Sequence, residues 1–293
     1  MTYNQFIRTV ENRVREGFEN NIEVCTHAVL KNNGTIRQGI LFKETGINIS
    51  PTIYLEEYYQ RMLGGESIEE IVKEILRVYR KVRFNESMDA DFIQEYSQIK
   101  EKIIYRLINR DANEKLLEDV PHGEYLDLAV VYYLLLDVTE YGTASMLIHN
   151  SHIQSWGVDA RELHQEACKN TGRLLPYEFM TMNAALESLT NIKLSEEEDI
   201  LYILSNKHKS YGSAAMLYSG CLEGIGMYLK GNYYILPSSI HEVVVISEED
   251  SPGRERLRTM VENVNETQME EEDILSNHIY YYDREQKKLQ IAL

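Results

Sequence analysis

The sequence predicts an α+β fold in which helices and antiparallel hairpins are mixed. Three observations carry this. Apolar residues recur at helical spacing in several segments, and others alternate as strands do. Turn signals join strands directly into hairpins. The elements do not follow the steady strand–helix–strand order of a parallel α/β sheet. Hydrophobic residues make up 43% of the 293-residue chain, enough for a substantial core.

Along the chain, Tyr3, Phe6, Ile7, Val10 and Val14 mark one face of a helix over residues 2–16, with Gly17 as its stop. Ile22, Val24, Thr26, Ala28 and Leu30 alternate as a strand, and Asn32-Asn33-Gly34 turns it into a second strand near 36–42. Ser50-Pro51 has the chemistry of a helix start and predicts a helix over 50–63, ended by Gly64-Gly65. Ser67 and Glu70 form a capping-box pair that opens a further helix over 67–81. The polar stretch Arg83–Asp91 reads as a linker, dividing the chain into regions 1–82 and 92–293 that could still form one continuous domain.

In the second region a helix is expected near 92–100, a strand at KIIYRLIN and a short helix at 113–117. LAVVYYLLL reads as a central strand buried on both faces. Asp159 and Glu162 cap the helix ARELHQEACKN, and Trp156 is expected in the core. NYYIL and VVVI are strands separated by a break at Pro237. Ser251-Pro252 opens a last helix, and the C-terminus reads as a hairpin turning at Asp283-Arg284.

One pattern suggests duplication. YGTASMLIHN at 141–150 and YGSAAMLYSG at 211–220 match at Tyr-Gly, Ala, Met and Leu, and each follows an apolar strand. The expectation is a strand–strand–helix unit present twice, 70 residues apart.

A formal net charge of −17 disfavours nucleic acid and anionic membrane surfaces as partners, since both are themselves anionic. The longest apolar run, Leu126–Leu136, is too short to cross a bilayer as a helix. Three scattered cysteines, Cys25, Cys168 and Cys221, are neither a disulfide framework nor a zinc pattern, and with no leader-like N-terminus they suggest the cytoplasm.

Several strings are shared with a known group of sequences. NISPTIYL, RLIN…LLEDVPH…LDLAVVYY, LPSSIHEVVVI and NET…LSNHIYYYDRE resemble an uncharacterised family of anaerobic, often gut-associated, Gram-positive bacteria, over residues 3 to about 289. The plan is more weakly similar to the YtpQ-like family. The resemblance implies a cytoplasmic protein and brings no reaction or catalytic residue with it.

The densest polar cluster is Pro237–Glu242. Ser238 or Ser239 as nucleophile, His241 as base and Glu242 behind it contain the groups that nucleophilic catalysis uses. A polar turn stitched by its own hydrogen bonds explains the same residues. Val245 stands where a zincin motif needs its second histidine, so no metal is expected, and no cofactor fingerprint occurs. Asn48, Ser50 and Thr52 are binding candidates at the expected helix start, where ordinary capping is the plainer reading. His122, before the central strand, is the remaining binding candidate, with a surface loop as its plain alternative. The leading expectation is a binding or regulatory protein with a protein partner or small ligand. The alternatives are a hydrolase built on the Ser-Ser-x-His-Glu cluster and an acidic decoy for a nucleic-acid-binding protein.

Overall fold

The computed structural model describes residues 1–18, 22–83, 93–139, 142–190 and 199–292. Most of the predicted linker and the start of the helix expected at 92 therefore lie outside the described residues, as does Tyr141. The chain divides into two compact units, Met1–Gln94 and Glu95–Leu293.

In the first unit, α1 (Tyr3–Glu16) starts at a capping box between Thr2 and Gln5 and buries Phe6, Ile7, Val10 and Val14, as its apolar stripe requires. β1 (Ile22–Leu30) and β2 (Ile36–Glu44) form the expected hairpin, turning at Asn33, whose φ is 55°. A short β3 (Thr52–Tyr54) adds to the free edge of β2. The helix expected to start at Ser50 instead begins later, as α2 (Glu56–Leu63). The reason is visible in the hydrogen bonds. The Ser50 hydroxyl accepts from the Phe42 amide at 3.1 Å, and the Leu55 amide donates to the Gln38 carbonyl. Pairing with β2 thus claims the backbone that a helix would have used, overriding the local Ser-Pro preference.

α3 (Ile68–Val82) carries the predicted Ser67–Glu70 capping box and buries Ile71, Ile75 and Tyr79. The Tyr79 ring stacks on Phe42 with centroids 3.9 Å apart, tying helix to sheet. Ser67→Ala is expected to cost about 1 kcal/mol, measured by denaturant unfolding of the first unit's transition. No change would show that the Glu70 return bond alone holds this helix end.

In the second unit, β6 (Leu128–Thr139) is the central strand that the LAVVYYLLL run predicts. It pairs with β4 (Ile103–Asn109) on one side, and on the other with β5 (His122–Tyr125) and then β7 (Gly142–Leu147). Residues Leu128 to Tyr132 are all buried. α7 (Ala160–Leu174), capped by Asp159 as expected, packs on this sheet through Leu163, Ala167 and Thr171. Trp156 is half-buried against the core, at the end of α6 (Asn150–Trp156). A second antiparallel sheet has the order β13–β12–β10–β11–β9–β8, built from β8 (Tyr177–Thr181), β9 (Leu201–Asn206), β10 (Tyr233–Leu236), β11 (Val243–Ser247), β12 (Tyr280–Asp283) and β13 (Lys288–Ile291). The C-terminal hairpin β12–β13 and the break at Pro237 are as the sequence predicts. Short helices α4 (Tyr96–Ile99) and α5 (Glu114–Leu117) flank β4, α8 (Met182–Thr190) follows β8, and the last α-helix is α10 (Arg254–Thr267).

Many of the tyrosines serve as core residues with one polar tip. Tyr218 and Tyr233 are buried and donate to the Leu175 and Leu222 carbonyls at 2.9 and 3.0 Å. Phenol in place of phenyl here adds a tie between elements without loss of apolar area.

The expected duplication does not hold. Residues 142–147 form β7, a strand on β6, whereas Gly212–Leu217 is a turn of 3₁₀ helix. β9, which precedes the second copy, already has β11 and β8 on its two edges, so no edge is left for a returning strand. The chain turns away at Tyr211, whose φ is 53°, and Gly212 and Ser213 donate instead to the His241 and Ile240 carbonyls. The matching letters describe two different structures.

Candidate functional site

The Pro237–Glu242 cluster lies between β10 and β11, and its hydrogen bonds run into the fold. Ser239 is buried, and its hydroxyl accepts from the backbone amide of His241 at 2.9 Å. The His241 ring accepts at Nδ1 from the Tyr211 amide at 3.2 Å, which leaves the proton on Nε2, 3.3 Å from Asp273 Oδ1. Ser238 and Pro237 accept through their carbonyls from Leu275 and Ser276. Burial pushes the Glu242 carboxyl above its ordinary value, against the pull of His241 and of a bond to Ser239. Both ring nitrogens of His241 are therefore engaged by groups other than the Ser239 hydroxyl. Asn48 and Ser50 sit on the β2–β3 connection and Thr52 opens β3, where it pairs with Leu41, so the three do not surround a helix N-terminus.

Tyr211 connects this cluster to a residue the sequence reading passed over. Its ring lies 5.2 Å from that of His241 and, on another side, 3.7 Å from the guanidinium of Arg106, which also covers the Tyr133 ring at 4.1 Å. Arg106 is buried on β4 and donates to Thr143 and Ser145 at 3.1 and 2.7 Å. Ring faces and hydroxyls thus hold its charge. A lone arginine in the apolar run KIIYRLIN was the signal available.

A different place gathers reactive side chains around open space. A pocket of about 460 Å³ lies over β5, β6 and the first turns of α7. Its apolar wall includes Val130, Tyr125 and Leu217, and its polar groups are His122, Glu124, Arg161, His164, Cys168 and Tyr132. Of the sequence candidates, His122 is brought to this pocket, from strand β5 rather than from a loop. Its Nδ1 is 3.0 Å from the Val120 carbonyl, which fixes the proton there and turns the Nε2 lone pair outward.

His164 and Cys168 are one helical turn apart on α7, so both face the same side. The Cys168 sulfur is 3.4 Å from His164 Nε2, and the Tyr132 hydroxyl, from the sheet, is 3.0 Å from His164 Nδ1. Thiol, imidazole and phenol thus form a continuous chain along the pocket. Burial pushes the Tyr132 phenol up to about 12 and holds the Cys168 thiol above its ordinary value, so both carry their protons at neutral pH. The i, i+4 pair in ARELHQEACKN was readable in sequence. Its third member, 32 positions upstream on β6, was not.

A strand-centred α+β unit with a lined pocket defines a class of architecture, not an activity. The chain belongs to DUF5688, a family of unknown function, whose model matches residues 3–284. No curated protein and no solved structure matches it. Among the described residues no helix is long and apolar enough to cross a membrane, and no group of three metal-ligating side chains occurs.

Proposed function

We propose that this protein binds a small molecule in the β5–β6–α7 pocket, and that the ligand has an apolar body and an anionic or carbonyl-bearing head. The observation that carries this is the composition of the pocket. Val130, Tyr125 and Leu217 offer apolar surface, while Arg161 supplies a full positive charge and the one acid, Glu124, lies 3.7 Å from Arg110 and so is already paired. In a chain with net charge −17, a pocket with that local balance is the feature that favours an anion.

The test uses a fluorescent aromatic sulfonate, anilinonaphthalene sulfonate, as probe. A Cβ at Gly123 would meet the Tyr132 hydroxyl and Val130 Cβ at 3.7 and 3.8 Å, which is ordinary contact. Gly123→Leu therefore fits the backbone and fills the pocket, and Arg161→Glu reverses the charge at its rim. Saturable binding to the wild-type chain is expected, weakened at least about tenfold by either change, the size expected for losing about 1.4 kcal/mol of contact. Equal binding to all three proteins would refute the reading.

A further inference from the structure

We propose that Cys168 is a nucleophile that accepts an acyl group from a ligand in this pocket, with His164 as its base and Tyr132 as the group that orients the imidazole. The proposal rests on the pocket reading above and adds a reaction to it.

The geometry supplies the parts that covalent catalysis by a thiol needs. A nucleophile requires a base within hydrogen-bond reach and a third group that holds that base in place. Cys168 Sγ, His164 Nε2 and Nδ1, and the Tyr132 hydroxyl stand in that order, at 3.4 and 3.0 Å. His164 and Cys168 are open to solvent and line the pocket, whereas Tyr132 is only 2% exposed and rooted in the central strand. The sheet therefore fixes the phenol, and the phenol fixes the ring. Because the thiol carries its proton at rest, it donates to Nε2, and Nδ1–H donates to the phenol oxygen. The phenol's own proton is then left for a ligand oxygen in the pocket.

The step balances as follows. Sulfur attacks the carbonyl carbon of an ester or thioester while the thiol proton passes to His164 Nε2. A carbon–sulfur bond forms, the electron pair of the carbonyl moves to its oxygen, and the Tyr132 hydroxyl donates to that oxygen. As the carbonyl re-forms, the bond to the leaving alcohol or thiol breaks, and that group takes the proton from His164. The product is an acyl thioester on Cys168 with a neutral imidazole beside it. Water, deprotonated by the same nitrogen, or a second acceptor then releases the acyl group and restores the thiol. No oxidant, metal or cofactor enters.

The chain contains its own control. Cys25 is a half-buried thiol in the other unit, and Cys221 is buried with its pKa pushed up to about 12 by that burial. The full-length protein is exposed to p-nitrophenyl acetate near neutral pH, and acetyl groups are located and timed by peptide mass analysis. Acetylation of Cys168 is expected at least about tenfold faster than of Cys25, and His164→Gln should remove most of that advantage, since a positioned base contributes roughly 100-fold or more. Tyr132→Phe should slow Cys168 and move the pH at which its rate reaches half-maximum, leaving Cys25 unchanged. A role in packing alone would not shift that profile. Both exposed residues tolerate substitution, and folding of each variant is checked by circular dichroism. If Cys168 reacts no faster than Cys25, or as fast without His164, the proposal is overturned. Binding of the sulfonate probe to Cys168→Ser, run in parallel, separates that failure from failure of the pocket itself.

Discussion

Gly212→Ala is expected to destabilise the second unit by about 3 kcal/mol or more, the upper range for overpacking, and to lower its melting temperature by roughly 10 °C. A Cβ at this position would sit 2.5 Å from the Asn206 amide nitrogen and 2.6 Å from the His241 carbonyl oxygen, and closer still to Ser205 Oγ. Two of these obstacles are backbone, and neither is free to move. Asn206 ends β9, a strand paired on both edges, and the His241 carbonyl accepts from both Gly212 N at 2.9 Å and Ser205 Oγ at 2.8 Å. Relieving the clash means breaking the bonds that seat the 3₁₀ turn on the Ser239–His241 segment. Gly224 is the contrasting case. It lies inside α9 (Cys221–Tyr228), and a Cβ there meets nothing within 4 Å. Gly224→Ala should be neutral or stabilising by about 0.5–1 kcal/mol, from helix propensity alone. Thermal unfolding of both variants decides the matter. A Gly212→Ala protein that melts with the wild type would mean that the approach of the 3₁₀ turn to β9 is not tight.

These two glycines show what the sequence could and could not reveal. Local signals were legible wherever one residue's chemistry had no competitor: the Ser67–Glu70 box, the turn at Asn33 and the buried run of β6 all stand as read. They failed where a neighbouring strand competed for the same backbone. Ser50-Pro51 has good capping chemistry, but β2 had an open edge and took residues 52–54. The second Tyr-Gly segment has the letters of the first, but β9 had no open edge and residues 212–217 wound up instead. Edge availability is a property of the whole sheet and is not written in ten residues. The same holds for the pocket. His122 was singled out without its surroundings, the i, i+4 spacing of His164 and Cys168 was there to read but passed over, and only the sheet brings Tyr132 to His164.

Asp127→Asn is expected to cost about 3 kcal/mol at neutral pH, and this cost should fade in acid. Asp127 follows Leu126, held at φ 57°, and its carboxylate is turned inward to three donors. Oδ1 accepts from the Tyr280 hydroxyl at 2.6 Å, and Oδ2 accepts from Ser276 Oγ at 2.6 Å and His278 Nδ1 at 3.0 Å. Ser276 and Tyr280 are fully buried, so neither hydroxyl has water as a substitute. An asparagine offers one acceptor where the site needs two, and it turns an amide N–H toward a donor. Each buried hydroxyl left without a partner costs about 1–3 kcal/mol, which sets the magnitude. Burial acts to raise the Asp127 pKa, but the bonds from Ser276, Tyr280 and His278 outweigh it and hold the carboxyl below its ordinary value. A carboxyl whose folded value is depressed binds protons more readily in the unfolded chain. Its contribution is fully present above the unfolded value near ~3.9 and is lost as pH falls through the lower, folded one. The stability difference between wild type and Asp127→Asn should therefore persist from about pH 5 to 7 and shrink below about pH 4. Urea unfolding of both proteins at pH 7, 5 and 3.5 measures it. A difference that stays the same at all three would mean that the lost contacts are steric rather than the bonds of an ionised carboxylate.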